Sequence, residues 1–190
     1  MEKIREYLDF IRETENLKST LRTAWTARGR QESTAEHSWR LALLAGVFLE
    51  EYPCLDAVRV YQLCLVHDLG EIYDGDISAA LRPDEELKHK KEKQSVEKVF
   101  SLLPGSSGKK WLDIWREYDE NLTPEAHLVK ALDKAETIIQ HNQGRNPEDF
   151  DYEFNLEYGR KYFEADELLR ELRRELDAET RCHIPPESKE

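Results

Sequence analysis

The residues best suited to chemistry in this chain are two histidines and two aspartates far apart in sequence: His37, the adjacent pair His67-Asp68, and Asp133. Each falls on or beside the apolar side of an amphipathic helical segment. His37 shares a side with Leu41, Leu44, Ala45 and Phe48, the four-seven-eight-eleven spacing of a core-facing stripe. His67 lies on the Val60/Leu63/Cys64 side of the next apolar segment, and Asp133 sits one turn beyond Val129, with Glu136 a turn further. A lone inward histidine is ordinarily a satisfied core residue, and a His-Asp pair commonly ends a helix near the surface. Four such residues would each need a separate buried partner, because an unpaired buried carboxylate costs several kcal/mol. One shared cation serves them all. Two imidazoles and two carboxylates make a mixed N/O set suited to one divalent ion (Mn²⁺, Co²⁺, Fe²⁺, Ni²⁺ or Zn²⁺) with coordination positions left open. The set lacks the thiolates of a structural zinc site.

The elements that must position these residues read as helices. Apolar periodicity predicts helices over about 3–17, 35–50, 56–70, 84–103, 109–120, 124–141 and 153–180. Ser33 or Thr34, Asp56 and Thr123-Pro124 offer helix starts. Residues 18–34, with Lys18, Arg22, Arg28, Arg30 and Trp25, read as a loop-rich basic connector. Pro104–Gly108 and 142–151 read as loops, and Lys88-His89-Lys90-Lys91 as solvated surface. No strand signal stands out. The expected fold is all-α: one domain over 1–180, with a metal-binding core at about 18–145, a C-terminal helix at 153–180 and a flexible tail at 181–190.

Composition narrows the function classes. The net charge of −12, from 40 acidic against 28 basic residues, repels polyphosphate backbones and argues against nucleic-acid binding. It leaves room for a small phosphorylated substrate, since a metal and a few cations set the local potential. The longest apolar run, Leu41–Leu49, is too short to span a membrane. Three cysteines without CxxC spacing (Cys54, Cys64, Cys182) suit reduced thiols in a cytoplasmic protein.

The order His37…His67-Asp68…Asp133 resembles the HD-domain superfamily of metal-dependent phosphohydrolases, all-α proteins named for that dipeptide. Ala35-Glu36-His37-Ser38, His67-Asp68-x-x-Glu71 and Gly75-Asp76 are similar to the 5′-deoxynucleotidase branch, over about residues 4–145. The resemblance implies a single divalent metal held by His37, His67, Asp68 and Asp133. It implies phosphate contact by Arg22, fifteen residues before His37, a catalytic acid/base at Glu71 beside the reacting phosphate, and sugar contact by Asp76. It further implies a homodimer and a nucleoside 5′-monophosphate substrate. Where that branch has tryptophan directly after the arginine, this chain has Thr23, with Trp25 two positions on. A strict 2′-deoxy preference therefore does not follow. The rival readings are other phosphoesterases of the superfamily, acting on diphosphates or phosphodiesters, and a non-catalytic metal-containing helical binding protein. Ile72 after Glu71 counts against guanosine tetraphosphate hydrolases, and only His89 and His127 are available for a second metal.

Overall fold

Residues 2–81 and 83–185 are described in the computed structural model. The chain begins with α1 (Glu2–Thr14) and a 3₁₀ turn (Glu15–Lys18), then forms a hairpin of β1 (Leu21–Trp25) and β2 (Gln31–Ser33). Helices α2 (Thr34–Phe48) and α3 (Ala57–Val66) follow. Two 3₁₀ turns (Leu69–Glu71 and Ala79–Leu81) lead to α4 (Glu85–Phe100), α5 (Ser107–Asp119) and α6 (Pro124–Gln143). A short α7 (Glu153–Glu157), a 3₁₀ turn (Arg160–Glu164) and α8 (Glu167–Arg181) complete the order. The all-α class holds, with the hairpin as its one addition among the described residues.

Helix starts follow side-chain chemistry. Ser33 and Glu36 form a reciprocal capping box at α2, each satisfying the other's backbone N–H. The Asp56 carboxylate accepts from Val58 and Arg59 N–H at α3, and Thr123 Oγ1 from Ala126 N–H at α6, with Pro124 at the first helical position. Helix α6 is the axis of the domain, packing against α2, α3, α5, α8 and β1. Leu41 of α2 and Leu63 of α3 are fully buried, as are its own Leu132 and Ile138.

Several expectations need correction. The connector over 18–34 contains the antiparallel hairpin, paired Leu21↔Ser33 and Trp25↔Gln31. Its alternation buries Arg22 and Ala24, so the inward positions carry a charge and a methyl rather than an apolar stripe. The third helix ends at Val66, not Gly70: His67 caps it and Asp68 takes φ −100°, ψ 9°. Gly70 then lets this turn pass close to α4, since a Cβ there would lie 2.7 Å from Glu92 Cβ. The row Ile4, Leu8, Ile11 of α1 faces outward, as do Trp39, Leu43, Val47 of α2 and Val58, Tyr61, Leu65 of α3. Lys88 turns into a cavity instead of solvent. The single C-terminal helix is three pieces, broken at Gly159 (φ +65°) and restarted at the Asp166 cap. Helix α8 reaches Arg181. Of the expected tail, residues 186–190 lie outside the described residues.

The last piece is fixed to the rest by Arg173. Its buried guanidinium donates to Asp177 Oδ1 (2.6 Å) and to the carbonyls of Asn155 (2.8 Å), Leu156 (2.5 Å) and Tyr158 (2.6 Å). Replacing Arg173 with Met strands the Asp177 carboxylate and these carbonyls, a cost of about 3–5 kcal/mol. Thermal denaturation of R173M should show a Tm lower by about 10 °C for a chain of this size; an unchanged Tm would refute the keystone role.

Candidate metal centre and its cavity

Histidine 37, in the first turn of α2, is fully buried and its Nδ1 meets the Glu136 carboxylate. The Nδ1 of His67 lies 2.9 Å from the Cys64 carbonyl. A carbonyl or an ionised carboxylate can only accept, so both rings carry their proton on Nδ1 and present a bare Nε2. Those two Nε2 atoms lie 3.2 Å apart. Asp133 Oδ1 is 3.2 Å from His37 Nε2, and Asp68 Oδ2 is 3.0 Å from His67 Nε2 and 3.7 Å from His37 Nε2. The donor atoms of His37, His67 and Asp133 thus converge, with Asp68 beside His67, an arrangement that is repulsive until a cation lies among them and that fits a divalent ion. The ligand atoms of His37, His67 and Asp133 all lie within 4.8 Å of one another. The same field favours any positive charge. Burial and Arg22 oppose charge on His37, yet Glu136 and Asp133 outweigh them and raise its pKa to about 9.

The surrounding groups hold the donors in place. Asp133 Oδ2 accepts from Tyr118 Oη (2.6 Å) and Lys134 Nζ (2.9 Å), which leaves Oδ1 turned toward His37. Burial opposes ionisation of Asp133, but Lys134 and the two imidazoles keep it well below the usual carboxylate range. Asp68 is also held low: burial opposes its charge and His67 chiefly favours it. Glu136 is shared, reaching His37 Nδ1, Arg40 Nε (2.5 Å) and, at 3.7 Å, Arg22 Nη1.

The other expected site residues gather here too. Arg22 is buried, donating to Glu32 Oε2 (3.0 Å) and Thr137 Oγ1 (3.0 Å), with Asp76 3.9 Å from its Nε. Its charge is therefore matched before any substrate arrives. Glu71 is buried in the turn after Asp68, with Thr34 Oγ1 donating to it at 3.3 Å. Burial, then Asp68 and Asp76, push its carboxyl well above the usual range. Arg22, Asp68, Glu71, Asp76 and Asp133 line one cavity. Thr23 lines it as well, whereas Trp25 turns edge-on to Phe150 at 6.2 Å. His89 stacks on Trp115 and His127 bonds the Asn121 carbonyl, so among the described residues neither joins the donor cluster.

Sequence reasoning gave no role to Glu136, Tyr118, Lys130, Lys134, His141, Phe154 or Tyr158. For Glu136 the signal existed: it stands one helical turn after Asp133, a spacing that puts both on one side. The aromatic and lysine lining had no such marker, because those residue types are ordinary on solvated helices.

Two predictions follow from this geometry. Glu136→Gln removes the carboxylate that fixes the His37 tautomer and should weaken metal affinity about 10–100-fold. Chelator competition would measure it, and unchanged affinity would sink the positioning role. His141 is buried, its Nδ1 2.7 Å from Asn155 Oδ1, and burial lowers its pKa from 6.5 to about 4. Above pH 6.5 the ring is neutral in both folded and unfolded chains. As pH falls from 6.5 toward 4 only the unfolded chain takes up the proton, so stability drops, by about 2 kcal/mol between pH 7 and 5. Denaturant titrations of the parent and His141→Asn should differ by that slope.

The HD-domain family matches residues 14–173. The human protein named 5′-deoxynucleotidase HDDC2 is 36% identical over 141 residues, covering 73% of this chain and 68% of the relative. Its Xenopus laevis counterpart is 38% identical over 138 residues, covering 72% and 68%. A crystal structure described as a predicted metal-dependent phosphohydrolase from Magnetospirillum magnetotacticum superposes with a TM-score of 0.81 at 28% identity, over 97% of each chain. With the family matched over residues 14–173, this chain belongs to the HD-domain family.

Proposed function

We propose that the protein is a metal-dependent 5′-nucleotidase that releases phosphate from (deoxy)nucleoside 5′-monophosphates. The observation that carries this reading is that a buried carboxyl of raised pKa, Glu71, opens into the same cavity as the metal-donor set. The relatives named 5′-deoxynucleotidases support the same substrate class. His37, His67, Asp68 and Asp133 hold the ion, of which Mn²⁺ or Co²⁺ suits the mixed donors. When bound, the ion supplies charge neutralisation for the phosphomonoester and activation for the attacking water. Glu71 handles the proton: burial favours its neutral form, so it can give a proton to the leaving oxygen or, once ionised, take one from water. Arg22 borders the phosphate with Glu32, Thr137 and Glu136 fixing its plane, and Asp76 accepts from a sugar hydroxyl. With Thr23 where the branch has tryptophan, ribose and deoxyribose forms both enter.

A homodimer accompanies this reading. The outward apolar rows of α2 and α3, helices that pack on each other, offer the contact surface for a second copy. No described helix is long and apolar enough to cross a membrane; a cytoplasmic site of action suits the free thiols.

Phosphate release from dAMP, dGMP, dUMP, dTMP and their ribose counterparts, with Mn²⁺ or Co²⁺ added, tests the proposal. Release from both sugar series is expected, and E71Q should retain metal while losing about 10²–10⁴-fold in kcat. Metal-loaded protein that releases no phosphate from the whole panel would overturn the reading.

A further inference from the structure

The cations lining the cavity differ in what they already serve. Arg22 is matched by Glu32 and Thr137. Lys88 Nζ donates to the Ile77 carbonyl (3.0 Å) and lies 3.6 Å from Glu92. Lys134 is held by Asp133 Oδ2. Lys130 has no such partner: among the described residues no carboxylate comes within the 4.0 Å of an ion pair. Its Nζ lies 4.4 Å from the Tyr118 ring centre and 5.8 Å from that of Tyr162. Aromatic faces attract an ammonium but do not cancel its charge. Burial and the neighbouring Lys134 hold the Lys130 pKa below the ordinary lysine range, against the weaker pull of Asp133 and Asp119. Along α6, Lys130, Asp133 and Thr137 occupy successive turns, and Arg22 bonds Thr137. Lys130 thus stands about 10 Å along the helix axis from Thr137, the residue that Arg22 bonds, with Asp133 between them.

We propose that Lys130 is a substrate-binding residue whose ammonium receives a non-bridging oxygen of the phosphate group, on the side of Asp133 away from Arg22. The assignment rests on the reading of this cavity as a phosphomonoester site. A dianion brought to a cavity rich in carboxylates needs a cation not already spent, and Lys130 is the one lining cation that meets this condition among the described residues. Its charge-assisted hydrogen bond is the strong kind. A purely structural lysine, held by its two tyrosines, would instead contribute to stability and leave phosphate affinity alone.

The test titrates inorganic phosphate into the metal-loaded full chain by calorimetry. K130M should raise the phosphate Kd, and the nucleotide KM with it, by about 10–100-fold. Bound metal should stay unchanged, and K130R should recover part of the loss. Unchanged phosphate affinity, or affinity lost only together with the metal, would overturn the assignment. A second readout needs no variant. Amine-directed labelling of Lys130 in the parent protein, mapped by mass spectrometry, should fall when inorganic phosphate is present, and equal labelling with and without phosphate counts against the proposal. Phosphate binding through Lys130 without phosphate release from any nucleotide would uphold this residue's role while refuting the nucleotidase reading.

Discussion

Both imidazoles of the centre have committed their protons away from it, and most of the architecture answers to that commitment. His67 gives its Nδ1 proton to a carbonyl within its own helix end, and His37 directs Nδ1 to a carboxylate on α6. What remains between them is a set of acceptors: two Nε2 atoms at 3.2 Å and the oxygens of Asp68 and Asp133. Gathering such groups in a buried place costs free energy that a divalent cation returns, which couples ion binding to folding. The three helices that meet there are therefore held by one electrostatic requirement as well as by their apolar faces. Glu136 extends that requirement outward. Because it contacts His37, Arg40 and Arg22 together, the donor cluster and the Arg22 side of the cavity form one network.

The donor positions were legible because each rides on a long apolar period. His37 and Asp133 lie on helices whose buried stripes run for three turns or more, so the side each residue faces follows from counting. His67-Asp68 was legible as a pair but not as a break: the helix ends at Val66, and the following turn tucks against α4 at Gly70. The hairpin was illegible. Strand alternation shows as apolar residues at every second position, and here the inward positions hold Arg22 and Ala24, with Glu32 and Ser33 buried on the partner strand. These are inward for the network's sake, not for hydrophobic burial. Apolar rows also occur on the outside: Ile4/Leu8/Ile11 and Val58/Tyr61/Leu65 have helical spacing yet face out, and spacing alone cannot distinguish a core from an open surface.

The C-terminal quarter shows why a cavity wall can depend on residues that never touch it. Phe154 and Tyr158 line the cavity from α7 and its end. A five-residue helix is far too short to persist alone, since nucleation fixes several dihedrals for a single hydrogen bond. Arg173 supplies what the helix lacks by binding three of its terminal carbonyls, and Asp177 orients Arg173. A buried ion pair of this kind is weak evidence for net stability, because apolar residues of similar size often do as well. Apolar residues, however, could not satisfy carbonyls pointing in three directions, so here the pair sets position. Gly159 completes the fit: with φ +65° and the Lys134 stem where a Cβ would go, it lets the chain turn directly over α6. The wall, the lysines beneath it and Asp133 of the donor cluster are thereby set by one close approach, and a change at Gly159 or Arg173 should be felt at the cavity although neither residue lines it.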